Sequence, residues 1–349
     1  MKNVKKLISN LLNTEYNVMP LSTRRNDSSE IMVSIHCFVF NQEKFIHPCI
    51  DSFLMQLVNF NVEILIHDDC SNDASKSIIE EYAKKYPNII KPIFEKENVY
   101  SKTGNFLEIA KILNNQSRGK YIAICEGDDC WTDPHKLFLQ VAVLEECPDC
   151  HFCVHRVKVE SDNKDYKAID QIPSFKMKTQ MLTDVEFISL IHEKYNFQTS
   201  SYFFKKEDYD LLFKERPLYS LLMPSDDEVL LRHFGSLGYT CFIDRTMSKY
   251  LQFVDGSWSK DHIESDSNKK HEILKRFIDA INAFDDYTIH KYNKSCKKML
   301  LRIDVTQKIK LKQYDEIFTN KETKKALKYM DFRTYLSLKI RRIFGRKNG

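Results

Sequence analysis

The stretch from Gly119 to Pro134 constrains this chain more than any other. Tyr121 to Cys125 is short, continuous and apolar, the pattern of a strand buried on both faces of a sheet. Glu126, Asp128 and Asp129 follow at once, gathered around Gly127. Open α/β sheets bind their ligands just beyond the carboxyl ends of such strands. In an extended segment Glu126 and Asp128 leave the same face, and Gly127 lets a backbone or ligand approach closely. Clustered carboxylates repel one another unless a cation is present, and hard oxygen ligands favour Mg²⁺ or Mn²⁺. Mg²⁺ takes one or two protein carboxylates and fills its other positions with water and phosphate oxygens. The stretch therefore reads as a platform for a metal-bound diphosphate. A plainer alternative is an acidic turn that caps the next helix. Asp133 before Pro134 fits that alternative, as an N-cap followed by proline at the first helical position. It leaves Glu126, Asp128 and Asp129 unexplained.

The residues before this block repeat a strand–helix rhythm. Ile31 to Phe40 reads as a strand, and Phe45 to Leu57 carries apolar residues three and four apart, one face of a helix. Val62 to Ile66 is a second strand, ending in His67-Asp68-Asp69-Cys70-Ser71-Asn72-Asp73, a turn with helix-capping residues. Pro87 ends the next helix, Ile89 to Phe94 suits a short strand, and Asn105 to Ser117 a helix closed by Gly119. Strands and helices alternating at short intervals imply parallel strands with helices on both faces. Two acidic turns at the ends of two such strands would face one crevice.

Later the pattern loosens. Asn196 to Phe204 reads as a strand carrying hydroxyls. Pro224-Ser225-Asp226-Asp227-Glu228 opens a helix ending near Gly238, and Tyr239 to Tyr250 is strand-like. From Asp261 the periodicity is helical and heavily charged. We divide the chain into an N-terminal helix and linker (1–30), a main domain (31–260, halves 31–158 and 159–260) and a basic helical extension (261–349).

With 53 Lys and Arg against 49 Asp and Glu, the formal charge of +4 is too mild to call for nucleic acid. No apolar run approaches the length of a membrane span, and Met1 to Leu12 lacks the features of a signal peptide. The expected location is the cytoplasm. Five of the ten cysteines, Cys37, Cys49, Cys70, Cys125 and Cys241, fall inside or beside apolar segments, as buried free thiols do. Cys147, Cys150 and Cys153, with His151 and His155, have metal-site spacing, but they straddle a helix end and a strand start and need not converge.

Taken in order, these pieces resemble the inverting family 2 glycosyltransferases of the GT-A fold, from about Met32 to Ser259. The resemblance rests on Val33-Ser34-Ile35 through Phe40-Asn41, on Ile66 to Asp73, on Gly119 to Trp131 with its Glu-Gly-Asp-Asp-x-Trp block, on Thr199-Ser200-Ser201 and on the later acidic turn. It implies a mixed α/β sheet flanked by helices, with a C-terminal helical extension. It also implies transfer of a hexosyl or N-acetylhexosaminyl unit from a UDP- or dTDP-linked sugar to a hydroxyl acceptor, within surface glycan synthesis. The acceptor would be a glycan, a lipid-linked sugar or a protein. By the same resemblance Phe40 and Asn41 border the base, and Asp69 accepts a hydrogen bond from it. Asp128 binds Mg²⁺ or Mn²⁺, Glu126 lies near the ribose or a metal-bound water, and Asp129 lies near the diphosphate and sugar. Asp227 is the base, with Asp226 its close rival; Thr199, Ser200 and Trp258 fall on the acceptor side. Where many relatives have a His before paired glycines and a Trp, this chain reads Phe253-Val254-Asp255-Gly256-Ser257-Trp258.

Two rivals carry other chemistry. A nucleotidyltransferase of the same fold usually has a Gly-rich basic loop after its first strand, where Phe40-Asn41-Gln42-Glu43 stands here. A non-catalytic scaffold would not need Glu126, Asp128, Asp69 and Asp227 together. The tail from Tyr335 to Lys347 sets apolar residues on one helical face and cations on the other. That suits either peripheral contact with the inner membrane face or docking on the chain's own domain with a solvated basic face. Membrane contact predicts that deleting residues 335–349 weakens co-sedimentation with anionic vesicles; unchanged sedimentation removes the idea.

Overall fold

The computed structural model describes residues 4–24, 30–161, 170–193, 196–252 and 267–321, together with Lys324, Leu327, Leu338 and Lys339. Its centre is a ten-stranded mixed sheet. In chain order the strands are β1 (Ile31–Val39), β2 (Asn61–Asp68), β3 (Ile90–Phe94), β4 (Tyr121–Glu126), β5 (Cys130–Trp131), β6 (Cys150–Ser161), β7 (Gln171–Ile172), β8 (Gln180–Leu182), β9 (Phe203–Lys205) and β10 (Tyr239–Gln252). Their spatial order is β8-β10-β6-β9-β4-β1-β2-β3, with β5 on β10 and β7 on β6. β3, β2, β1 and β4 run parallel, linked by crossover helices. β9 is antiparallel to both β4 and β6, joining the parallel half to the second half.

The apolar run read from the sequence is a doubly buried strand. Along β4, Tyr121, Ala123 and Cys125 enter the core on one face of the sheet, while Ile122 and Ile124 enter the core on the other. This period of two puts a hydrophobic side chain on both faces at every step, which a solvated sheet could not bury. Val4 and Ile8 of the N-terminal helix Val4–Asn13 are buried in the first core. Ala280, Ile281 and Phe284 of helix Ser267–Tyr287 are buried in the second.

Several local expectations shift. The helix before β4 ends at Gln116, with Ser117 as its cap, so Gly119 does not close it. Gly119 is needed for another reason: a Cβ there would stand 2.4 Å from the Ser34 backbone nitrogen. Its N–H donates to Ser34 Oγ at 2.9 Å. Ser34 Oγ in turn donates to the buried carboxylate of Glu63 at 2.7 Å, which also accepts from the Arg118 side chain. Asn196 to Phe204 is not one strand. Thr199–Ser201 forms a 3₁₀ turn, and only Phe203–Lys205 joins the sheet. The helix after the acidic block starts at Lys136, two residues later than a cap at Asp133 implies. Asp133 still accepts from the His135 N–H at 2.9 Å, and its other oxygen pairs with Arg245.

Gly119→Ala should lower stability by about 1–3 kcal/mol, the usual cost of forcing a methyl into a packed interior. Urea unfolding measures it, and an unchanged midpoint would show that the close approach of β1 and β4 is not a constraint.

Candidate functional site

Three loops at the carboxyl ends of β1, β2 and β4 form the crevice, and the first two are laced together. Asn41, at φ 54, donates its N–H to Ser71 Oγ at 2.9 Å and accepts from the Asn72 N–H at 2.8 Å. Glu43 N–H donates to Asp73 at 2.9 Å, and Glu43 accepts from the Ala74 N–H at 2.9 Å. Asparagine tolerates the left-handed region better than other residues with a side chain, so its place at this turn has a backbone cause. Phe40, just before it, is 45 % exposed at the rim. An exposed ring is a surface that a planar base can cover.

Asp69 is buried, and both its oxygens are engaged. One accepts from the Val99 N–H at 2.7 Å and the other from the Tyr100 N–H at 3.0 Å. It therefore anchors the start of helix Val99–Thr103 against the β2 turn. A carboxylate has about four acceptor sites, so lone pairs remain beyond these bonds.

The third loop carries the acids. Burial, then Asp128 and Asp227, push the Glu126 carboxyl up to about 8. Burial also raises Asp128. Asp129 is held well above the usual carboxylate range by burial, Asp128 and Glu126, although two donors oppose this. They are Gln198 Nε2 at 2.6 Å and the Leu251 N–H at 3.2 Å. Gly127 behaves as a close-approach residue, but toward its own protein: a Cβ there would stand 2.2 Å from Gln42 Oε1. Trp131 lies beneath the loop, buried between Phe53 and the Lys136 ammonium, which sits 4.1 Å from its ring centre.

The second half brings its own carboxylates to the same place. Helix Asp226–Leu237 opens with Asp226, Asp227 and Glu228, consistent with acids at a helix N-terminus. The two candidate bases face different ways. Asp226 accepts from the Phe106 backbone and is raised to about 7 by burial and then by Asp227. Asp227 acts electrostatically on Glu126 across the crevice. Burial and then Glu228 raise its pKa against hydrogen bonds from Ser225 and Asn196. Thr199 Oγ1 donates to Glu126 Oε1 at 3.3 Å. Ser200 is fully buried, and its hydroxyl bonds Gln198 and Ser248. Of these two hydroxyls, Thr199 alone reaches the acids. Trp258 and the residues around it lie outside the described residues.

Gln198 went unnoticed in the sequence. It donates to Asp129, while its oxygen accepts from the Ser200 N–H at 2.7 Å. A side-chain amide that both donates and accepts was the only signal, and it is invisible until the two halves of the chain meet. Among the described residues no three His, Cys, Asp or Glu side chains converge as a ready metal site, the 147–155 cluster included. The acids of the third loop nonetheless suit a divalent cation. Burial first, and for Glu126 and Asp129 the neighbouring carboxylates, hold these groups above the usual range, a cost that a cation would relieve, and one Asp with a diphosphate can complete a Mg²⁺ shell.

Residues 34–205 match the family model described as Glycosyl transferase family 2. An uncharacterized protein of Mycobacterium tuberculosis is 33% identical over 232 residues, 65% of this chain and 60% of its own length. The chain thus spans about three-fifths of that relative. The minor teichoic acid biosynthesis protein GgaA of Bacillus subtilis is 31% identical over 103 residues, 29% of this chain and 22% of its own. Among solved structures, S. aureus TarS in complex with UDP-GlcNAc superposes with a TM-score of 0.56 at 14% identity, over 88% of this chain and 79% of that one. The shared architecture is the mixed α/β sheet of GT-A glycosyltransferases, flanked by helices. The family model thus matches just under half of the chain, and the solved structure shares the fold.

Asp226 gives a signed pH dependence. Its folded pKa is raised, so between about pH 4 and about 7 the folded state holds a proton that the unfolded state releases, and stability falls as pH rises through that window. Asp226→Asn should flatten the decline of melting temperature across this range. An identical slope in the variant would show that Asp226 is not held protonated.

Proposed function

We propose that this chain is a metal-dependent inverting glycosyltransferase acting on a nucleoside-diphosphate sugar, and that it builds surface polysaccharide. The observation that carries this reading is the approach of Asp227, from the second half, to Glu126 at the end of β4, beside Asp128. A donor diphosphate needs the cation-binding side of that crevice, and a hydroxyl acceptor needs a base on the other. Carboxylates from both halves are available for these two tasks, and the family 2 match covers the stretch that would hold the donor.

In this reading the exposed Phe40 ring and the Asn41 turn border the base, and Asp69 offers its remaining lone pairs to it. Asp128 holds Mg²⁺ or Mn²⁺, which when bound offsets charge on the departing nucleoside diphosphate. Asp129, clamped by Gln198, fixes the loop beside the diphosphate and sugar, and Glu126 lies toward the ribose. Asp227 takes the proton of the acceptor hydroxyl as its oxygen attacks the anomeric carbon. The bond to the diphosphate oxygen breaks on the opposite face, which inverts the centre. A raised pKa suits this work, because a base is most effective when it titrates near the operating pH. Asp226, turned to Phe106, keeps the helix start in place and supports its neighbour.

A thermal-shift panel of nucleoside diphosphates and their sugars, each with and without Mn²⁺, tests the reading. A ligand at about a hundred times its dissociation constant should stabilise the fold by roughly 2.7 kcal/mol. UDP or dTDP should stabilise only with metal, and Asp128→Ala should remove the metal dependence. Asp227→Asn should keep the donor shift while transfer falls about 10²-fold or more. A panel in which no nucleotide binds with or without Mn²⁺ would sink the reading.

A further inference from the structure

Beside the acids of the second half lies a groove of about 390 Å³ that the donor side does not use. One wall is a single face of helix Asn293–Lys310: Met299, Arg302, Ile303, Thr306, Gln307 and Lys310 recur at the three- and four-residue spacing of one stripe. Such a stripe ordinarily packs against a core. Here much of it faces open space, and its composition is mixed rather than apolar. Ile191, His192, Leu274, Asn196 and Glu228 complete the lining, the last two beside the start of helix Asp226–Leu237.

Two of these lining residues neighbour the proposed base. Asn196 hydrogen-bonds Asp227, and Glu228 is the next residue in the chain. Glu228 is paired with Arg232, which is wholly buried and donates to Met299 Sδ at 3.8 Å. The acid at this end is therefore already neutralised. Lys310 lies eleven residues beyond Met299, about 16 Å along the helix. It is exposed and has no ion-pair or hydrogen-bond partner among the described residues. Arg302, between them, caps the carbonyls of His192 and Glu193 and adds a second cation. His192 is buried with Nε2 unbonded, and the exposed Thr306 hydroxyl, which donates to the Arg302 carbonyl at 2.8 Å, can still accept. The crevice is acidic and the groove is cationic, so the two attract different ligands.

We propose that this groove binds the acceptor, and that the acceptor is an anionic saccharide. Its reactive hydroxyl lies at the Asn196–Asp227 end and its phosphate or carboxylate lies toward Arg302 and Lys310. Apolar Met299 and Ile303 face the sugar rings, while Thr306 and Gln307 offer hydroxyl partners. This inference rests on the reading of Asp227 as the base.

The test is ligand-observed NMR on the full chain with three probes: N-acetylglucosamine 1-phosphate, glucuronic acid and neutral N-acetylglucosamine. Each is measured on the wild type, Lys310→Glu, Ile303→Trp and a control, Lys312→Glu, whose charge reversal lies outside the groove. At least one anionic probe should bind the wild type about tenfold tighter than the neutral sugar, and which one does so separates phosphate from carboxylate. Lys310→Glu and the groove-filling Ile303→Trp should each erase that preference, and Lys312→Glu should retain it. Equal binding of all three probes, or equal losses in Lys310→Glu and Lys312→Glu, would overturn the proposal. UDP binding with Mn²⁺, read on the same samples, reports the donor site separately. If UDP fails everywhere while the anionic preference follows the variants, the groove stands and the donor reading falls.

Discussion

Everything in this molecule turns on a repulsion. Glu126 feels both Asp128 and Asp227, and Asp129 feels Asp128 and Glu126, in a crevice where burial disfavours the charged form of each. Left alone, such a cluster would spread apart or take up protons. The fold prevents the first by gripping the acids from both halves: Gln198 and the Leu251 N–H hold Asp129, while Asn196 and Ser225 hold Asp227. The acids are therefore held in place by hydrogen bonds from elements far apart in sequence.

The supports beneath are less visible and equally specific. The buried Glu63 carboxylate gathers Ser34, Arg118 and, through Ser34, Gly119, which sets β4 against β1 at the end of the strand opposite the acids. Above, Asp69 and the Asn41–Ser71 lacing fix the β1 and β2 turns to each other and to helix Val99–Thr103. A carboxylate that accepts two backbone N–H groups is a strong local tie. Asp69 thus has a structural task whatever else it touches, and a variant there would disturb the loop as well as any base it meets.

Much of this was legible in advance, and the reason is local. The apolar run of β4, the strand–helix alternation and the acids after two strands are patterns within a few residues, and the structure has all three. What the sequence concealed were contacts that exist only once distant segments meet. Asn196 to Phe204 looks extended because it is rich in aromatics and hydroxyls. It turns as a 3₁₀ segment because Gln198 must reach Asp129 on one side and the Ser200 N–H on the other. Gly119 looked like a helix stop and is instead the point where two strands come too close for a side chain. Asp226 and Asp227 could not be told apart as neighbours in sequence; their partners, Phe106 and Glu126, come from different parts of the fold.

The seat of Trp131 has a consequence of a different kind. The chain has only two tryptophans, and this one is sealed from water directly below the acidic loop, its ring 4.1 Å from the Lys136 ammonium. Burial lowers the Lys136 pKa to about 7, so that ammonium sits near the balance between charged and neutral. An indole in so polarisable a setting is an optical gauge: its emission will register charge arriving on the loop above it. The protein carries its own spectroscopic probe at the floor of the crevice, with no label to attach.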